Sequence, residues 1–344
     1  MKTGTMNLPL HPGHAPRWLF KRMVKLSKGI SGSIIEEHGT TELLKRLSDP
    51  LWFQSFSCVL GFDWHSSGTT TTSMGALKLA LRDVEGVQVC GGKGSTSRKT
   101  PQEIQDTVIP ADKDSLLQAS KMTAKVDNNC IQDGFTLYHH CIVFDEESWC
   151  VVQQGMSEHW ARRYHWFQQD FLDEHPVACD QRVQTLDLTA EDSDKVRSLS
   201  IDLVNDNPIH LTGQTTLDSY QEFSMPRQHT IAISPPIMRA LQRAYEYQPK
   251  SYEELIALKG VGATSLRALA LTAELIYGER ASWKDPVKYS FSHGGKDGFP
   301  RPFDFETADN TIRFMRETVE EAKLGKNDKI FALKRLSKIL NNSR

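Results

Sequence analysis

Apolar residues recur three and four positions apart in APRWLFKRMVKLSKGI, TTELLKRLSDPLWFQSF and KDSLLQASKMTAKV. That period predicts amphipathic helices. Short apolar runs next to glycine-rich turns, FSCVLGF and GVQVCGGKG, alternate with them. The runs FTLYHHCIVF and WCVVQQGM are rich in β-branched and aromatic residues and flank the polar turn DEES, which predicts a β-hairpin. From residue 235 onward the period is helical throughout: PPIMRALQRAYEY, YEELIAL, TSLRALALTAELIYG, NTIRFMRETVEEAKL and DKIFALKRLSKIL. The segment LTGQTTLDSYQEFSMPRQHTIAISPP is rich in turn formers. The expected fold class is therefore α+β: a mixed α/β domain with a hairpin-containing sheet over 1–215, a linker over 216–234, and an all-α domain over 235–344.

Composition narrows this picture. The 344 residues are 39% hydrophobic and 24% charged, as in ordinary soluble globular chains. No apolar run reaches the roughly 18 residues of a membrane span, and MKTGTMNLPLHPGH lacks a secretory apolar core. A cytoplasmic protein without membrane partners is expected, with homo-oligomers left open. The six cysteines form no CxxC pair, which argues against a zinc ribbon or a disulfide framework. A net charge of -2 means that any polyanion must be met by a local patch or by backbone groups.

The stretch LKGVGATSL joins two helical patterns. Ser251 and Glu254 have capping-box spacing before YEELIAL, Gly260 is expected to stop that helix, and Thr264 or Ser265 to start the next, which Gly278 ends. Residues 251–278 resemble the helix-hairpin-helix family. That resemblance implies phosphate contacts at Lys259, Gly260, Gly262, Thr264, Ser265 and Arg267, with Val261 as the apolar plug of the turn. Glycines leave room for a phosphate, and the amides at a helix start carry partial positive charge. Bifunctional glycosylases of this pattern place a lysine where Thr264 stands, so a Schiff-base lyase is not expected.

Over nearly its full length the chain also resembles the domain-of-unknown-function family 763. The motifs that carry this are LPLHPGHAPRWLF, GFDWHSSG, GGKGSTSRKTP, QDGFTLYHH, ARRYHW and FSHGGKDGFPRP. The resemblance implies little about activity.

Candidate chemistry gathers on turns. GFDWHSSG offers Asp63 and His65, and GGKGSTSRKT follows a strand with Lys93, Ser95, Ser97 and Arg98, an oxyanion cradle or else a solvated basic loop. Asp133 before the hairpin and Gln153 on its second strand resemble the acids of PD-(D/E)xK nucleases, although Gly155 stands where a lysine is needed. Asp63 and Asp133 are the candidate ligands for Mg²⁺ or Mn²⁺. His139 and His140 point to opposite faces of their strand, and either is a candidate acid or base. Arg162 and Arg163 in ARRYHW suit phosphates beside stacking aromatics, or else surface ion pairs with Tyr164 and Trp166 in the core, the reading slightly favoured, and Lys296 in SHGGKDG suits a second backbone contact or a lid. The expected function is nucleic-acid processing, DNA favoured over RNA, by a metal-dependent nuclease. A hydrolytic glycosylase using Asp285 or Asp297, and a non-catalytic DNA-binding accessory protein, are the alternatives.

Overall fold

The computed structural model describes residues 15–62, 67–158, 160–179, 182–206, 234–287, 330 and 333–334. Asp63, His65, Lys296, Asp297, the 216–233 part of the expected linker and most of the last two expected helices lie outside the described residues.

Four helices come first: α1 (Arg17–His38), α2 (Thr40–Ser48), α3 (Pro50–Leu60) and α4 (Ser67–Ala80). The sequence TTELLKRLSDPLWFQSF reads as one helix but forms two. Pro50 cannot continue a preceding helix and suits the first helical position. Asp49 caps the new start, its Oδ1 accepting from the Leu51 and Trp52 amides at 2.7 and 3.2 Å. The run FSCVL, expected as a separate short segment, simply continues α3 to Gly61.

Strand β1 (Gln88–Lys93) leads through a 3-10 turn, Gly94–Lys99, into α5 (Thr100–Gln105) and the long α6 (Lys113–Asn129). After β2 (Ile131–Gln132), the expected hairpin forms from β3 (Thr136–Phe144) and β4 (Trp149–Met156). Asp145 holds its turn. One carboxylate oxygen accepts the Glu147 and Ser148 amides, and the other the hydroxyls of Thr40 and Thr41. There follow β5 (Ala161–Phe167), β6 (Val177–Ala178), β7 (Leu186–Asp187), α7 (Asp194–Asn205), α8 (Pro235–Tyr247), α9 (Tyr252–Ala257) and α10 (Ala263–Tyr277). A five-stranded antiparallel sheet runs β1-β3-β4-β5-β6, and β2 pairs with β7.

Alternation along the strands serves two cores. Val89, Cys141, Val143, Cys150 and Val152 pack with Met23, Leu26, Ile30, Phe53, Phe56 and Leu77 from α1, α3 and α4. On the opposite face, Cys90, Ile142, Phe144, Val151 and Trp166 pack with Leu116, Val126, Val196, Leu241, Leu255 and Leu266. The described helices beyond residue 234 thus share a core with the sheet. A sheet covered on both faces has near-continuous apolar strands, which is why TLYHHCIVF and WCVVQQGM read so plainly.

Candidate functional site

β1 ends beside the middle of β3, pairing Gly91 with Cys141, Gly92 with His140 and Lys93 with His139. Glycine at 91 is required, because its φ is 97° and an added Cβ would lie 2.2 Å from the His140 carbonyl oxygen. Glu103 fastens the same residue, accepting the Gly91 amide at 2.7 Å, while Lys78 bonds both the Gly91 carbonyl and Glu103. The turn that follows presents Lys93, Ser95, Arg98 and Lys99 to solvent, with Ser97 half-buried. None of the three cations meets a carboxylate among the described residues.

A bulge in β3 shapes what lies behind this turn. Leu137 pairs with Gly155 and His139 with Gln154, so Tyr138 is the extra residue. Simple alternation would put Tyr138 with His140; instead its hydroxyl accepts from Gln154 Nε2, on the His139 side. Gln154 also donates to the Ser67 carbonyl at 2.9 Å and accepts from the Thr70 hydroxyl, which ties the start of α4 to the site. The Lys93 ammonium stands 5.8 Å from the Tyr138 ring centre. His139 is 1% exposed, and neither ring nitrogen finds a hydrogen-bond partner among the described residues. Burial, with His140 and Lys93 adding to it, pushes its pKa down to about 3, so the imidazole is neutral.

On the opposite face of the sheet His140, unlike His139, is bonded at both ring nitrogens. His140 Nδ1 lies 2.8 Å from Gln153 Oε1, and Gln153 Nε2 donates to Asp127 Oδ2. A carboxylate only accepts, so the Gln153 amide orientation is fixed, Nδ1 of His140 carries the proton, and Nε2 accepts from Ser120 Oγ at 2.8 Å. The Trp166 indole also donates to Asp127 at 3.0 Å. His175 stacks on Trp166 with its Nε2 2.7 Å from Asp127 Oδ1, close but not aligned as a hydrogen bond. To act on a ligand, His140 would have to release Ser120.

Asp133, Arg162 and Arg163 are corrected by their surroundings. Asp133 Oδ2 accepts from Arg162 Nη1 at 2.9 Å and the Tyr164 hydroxyl at 2.8 Å, and Oδ1 accepts the Phe135 amide at 2.9 Å. Its oxygens are committed to protein donors, which does not fit a Mg²⁺ or Mn²⁺ ligand. No group of three or more His, Cys, Asp or Glu with metal-binding placement occurs among the described residues. Arg162 also pairs with Asp285 at 2.8 Å. Burial pulls its pKa down, but Asp133 and Asp285 push it further up, so it stays a cation inside the protein rather than at a phosphate. Asp285 accepts the Val183 and Val287 amides as well, leaving it poorly placed as a glycosylase acid. Arg163 is buried too, donating to Gln54 at 3.0 Å over the Phe53 ring; burial lowers its pKa to about 9. Strand β5 is covered on both faces, so Tyr164 and Trp166 are core residues, the alternative reading of ARRYHW, and do not stack on bases.

The α9–α10 turn is only partly open. Ser251 caps α9 by accepting the Glu254 amide at 3.2 Å; Glu254 reaches the Lys250 amide rather than that of Ser251. Lys259 and Gly260 are exposed, and Val261 is buried in the core as the expected plug. Gly260 has a φ of 92°, and Arg243 lies against it, donating to the Lys259 carbonyl at 3.0 Å. Gly262 precedes α10, but the Ala263 amide is taken by Asn129 Oδ1 at 3.2 Å. Lys125 bonds the carbonyls of Ile256 and Leu258. Ser265 is buried, Thr264 half-buried, and Arg267 turns inward to Gln132 at 2.7 Å instead of toward a phosphate.

The family model described as "Protein of unknown function (DUF763)" matches residues 4–303. The chain belongs to the DUF763 family. No curated protein and no solved structure matches it. In this DUF763 chain the structure brings Lys93 and His139 together beside the Ser95–Arg98 turn, places His140 and Gln153 on the other face of the sheet, and holds Asp133 in an ion pair with Arg162. Ser120 and Asp127 escaped the sequence reading. Their signal was polar residues on the apolar face of α6, seven apart and in line with Leu116, Ala119 and Val126.

Proposed function

We propose that this protein binds the phosphate backbone of a nucleic acid, DNA in the first instance, at the end of β1, and cleaves the phosphodiester held there. The observation that supports this is the pairing of Lys93 with a buried His139 whose ring nitrogens are both unbonded among the described residues, beneath a turn whose Arg98 and Lys99 meet no carboxylate among them. A buried polar group without a partner costs roughly 1–3 kcal/mol. A ligand that accepts its hydrogen bond would recover that cost.

A neutral imidazole with a low pKa is a weak base but a competent hydrogen-bond donor. Lys93 would neutralise a non-bridging phosphoryl oxygen, and His139, 1% exposed, would donate to it once the side chains covering its ring move aside, with Ser95, Ser97 and Arg98 on the adjoining phosphate. Donors aimed at those oxygens favour the transition state, where charge builds as water adds to phosphorus and the sugar oxygen departs. The proton lost by water ends on that departing oxygen, so the step balances. Lys259, Gly260 and Gly262 add a second, weaker backbone contact at the α9–α10 turn.

The test incubates the full chain with labelled single- and double-stranded DNA and RNA, with Mg²⁺, with Mn²⁺ and with chelator. Cleavage by the wild type, lost in both Lys93→Ala and His139→Leu while each remains folded, is the expected result. Binding without cleavage under every condition would make it an accessory protein, and absence of binding would remove the proposal altogether.

A further inference from the structure

We propose that the exposed face of α1 is a docking track for nucleic-acid phosphates, separate from the β1 site. This deepens the nucleic-acid reading above and rests on it. Residues 17–28 of α1 carry Arg17, Lys21, Arg22, Lys25 and Lys28, and no Asp or Glu precedes Glu36 in the helix. All five cations are exposed. At about 100° per residue, Arg17, Lys21, Lys25 and Lys28 fall within an arc of about 80°, a stripe about 16 Å long. The opposite face is fixed in the core by Met23, Leu26, Ile30 and Ile34.

Helix stability does not account for this arrangement. Cations near a helix N-terminus oppose the macrodipole, where acidic residues are favoured, and the first turn here has none. Nor do ion pairs account for it, because Arg17, Lys21, Lys25 and Lys28 meet no carboxylate among the described residues. In a chain of net charge -2, so concentrated a positive stripe suits a polyanion.

Trp18 adds a second feature. It is 58% exposed beside the stripe, with the Arg22 guanidinium 5.4 Å from its ring centre. An exposed indole flanked by cations offers a flat face to an unpaired base while the cations hold the backbone. A membrane surface is a poorer match, since an interfacial helix inserts its apolar face and that face of α1 is already buried.

The experiment measures binding of a short labelled duplex and of its single strand as salt is raised, for the wild type and for a variant combining Arg17→Ala, Lys21→Ala, Lys25→Ala and Lys28→Ala. Alanine is the strongest helix former and the sites are exposed, so the fold should persist, and thermal melting checks it. Losing four phosphate contacts should reduce the slope of log K against log salt by about 3.6 on duplex and about 2.8 on single strand. The charge-keeping set Lys21→Arg, Lys25→Arg and Lys28→Arg should retain the slope. Trp18→Ala should weaken single-strand binding roughly tenfold and leave duplex binding unchanged.

A wild type that binds while the alanine set keeps its slope overturns the track alone. A wild type that binds no nucleic acid overturns the proposed function and the track together. Selective loss of binding to phosphatidylserine vesicles, with nucleic-acid binding intact, also overturns the track.

Discussion

The two faces of the sheet treat neighbouring histidines in opposite ways. His140 bonds at both ring nitrogens, to Ser120 and Gln153, within a network that reaches Asp127 and Trp166. His139, one residue earlier and also buried, bonds at neither among the described residues. Satisfied buried polar networks give a fold its uniqueness. An unsatisfied group lowers stability and gains its use elsewhere. Asp133, Arg162 and His140, held by protein partners, belong to the architecture; His139 is unbonded among the described residues, as His175 is, and its place beside Lys93 assigns it to the site.

The contrast can be broken most forcefully at Arg162. Arg162→Ala would leave Asp133 and Asp285 buried beside each other without their cation, and should cost about 3–5 kcal/mol in denaturant unfolding. A loss under about 1 kcal/mol would mean that the ion pair is not structural.

Next in size is Gly91→Ala. A left-handed φ and a Cβ pressed onto the His140 carbonyl should cost about 3 kcal/mol and loosen the pairing of β1 with β3. Hydrogen exchange at the amides of β1 reads this directly, and unchanged protection there would contradict the required close approach.

The histidines themselves supply the third comparison. His140→Leu leaves Ser120 and Gln153 unpaired and should destabilise by about 2 kcal/mol, whereas His139→Leu removes a stranded polar group and should stabilise by about 1 kcal/mol. Equal effects of the same sign would erase the distinction between the faces.

Acid sharpens it further. Burial holds His139, His140 and His165 below the ordinary histidine pKa in the folded chain. Their neutral forms stabilise the fold fully above the unfolded value of about 6.5. That stability is lost as pH falls from there toward the folded values, which for His139 is about 3. Unfolding free energy measured across this range should decline with falling pH. In His139→Leu the decline should be shallower by about 1.4 kcal/mol per pH unit, one proton fewer. A slope identical to wild type would show that His139 is not held neutral.

The smallest effect is expected at the α9–α10 turn. Asn129→Ala frees the Ala263 amide and should cost about 1 kcal/mol, as loss of a helix cap does. If the turn contributes a backbone contact, the freed amide should also tighten nucleic-acid binding slightly; weaker binding would contradict that role.

Much of this organisation was legible in the chain. The β3–β4 hairpin, the strand before GGKG, the α6 helix and the plug at Val261 all follow from period and turn chemistry. What stayed hidden depended on partners distant in sequence. ARRYHW reads as a basic, aromatic surface only until Asp133 and Asp285, remote along the chain, are found closing on Arg162. α4 was missed because SGTTTTSMGALKLA is rich in β-branched threonines, which disfavour helix, and packing against α1 and β1 overrides that preference. Two adjacent histidines in a strand cannot be ranked by sequence, since the bulge at Tyr138 and the identity of the facing helices decide which one is bonded.

The most direct test pairs two readings on one sample of His139→Leu: its unfolding free energy and its cleavage of labelled DNA. The account predicts a protein at least as stable as the wild type that no longer cuts. A variant that cuts at the wild-type rate, or one whose lost cutting merely follows lost stability, would contradict it.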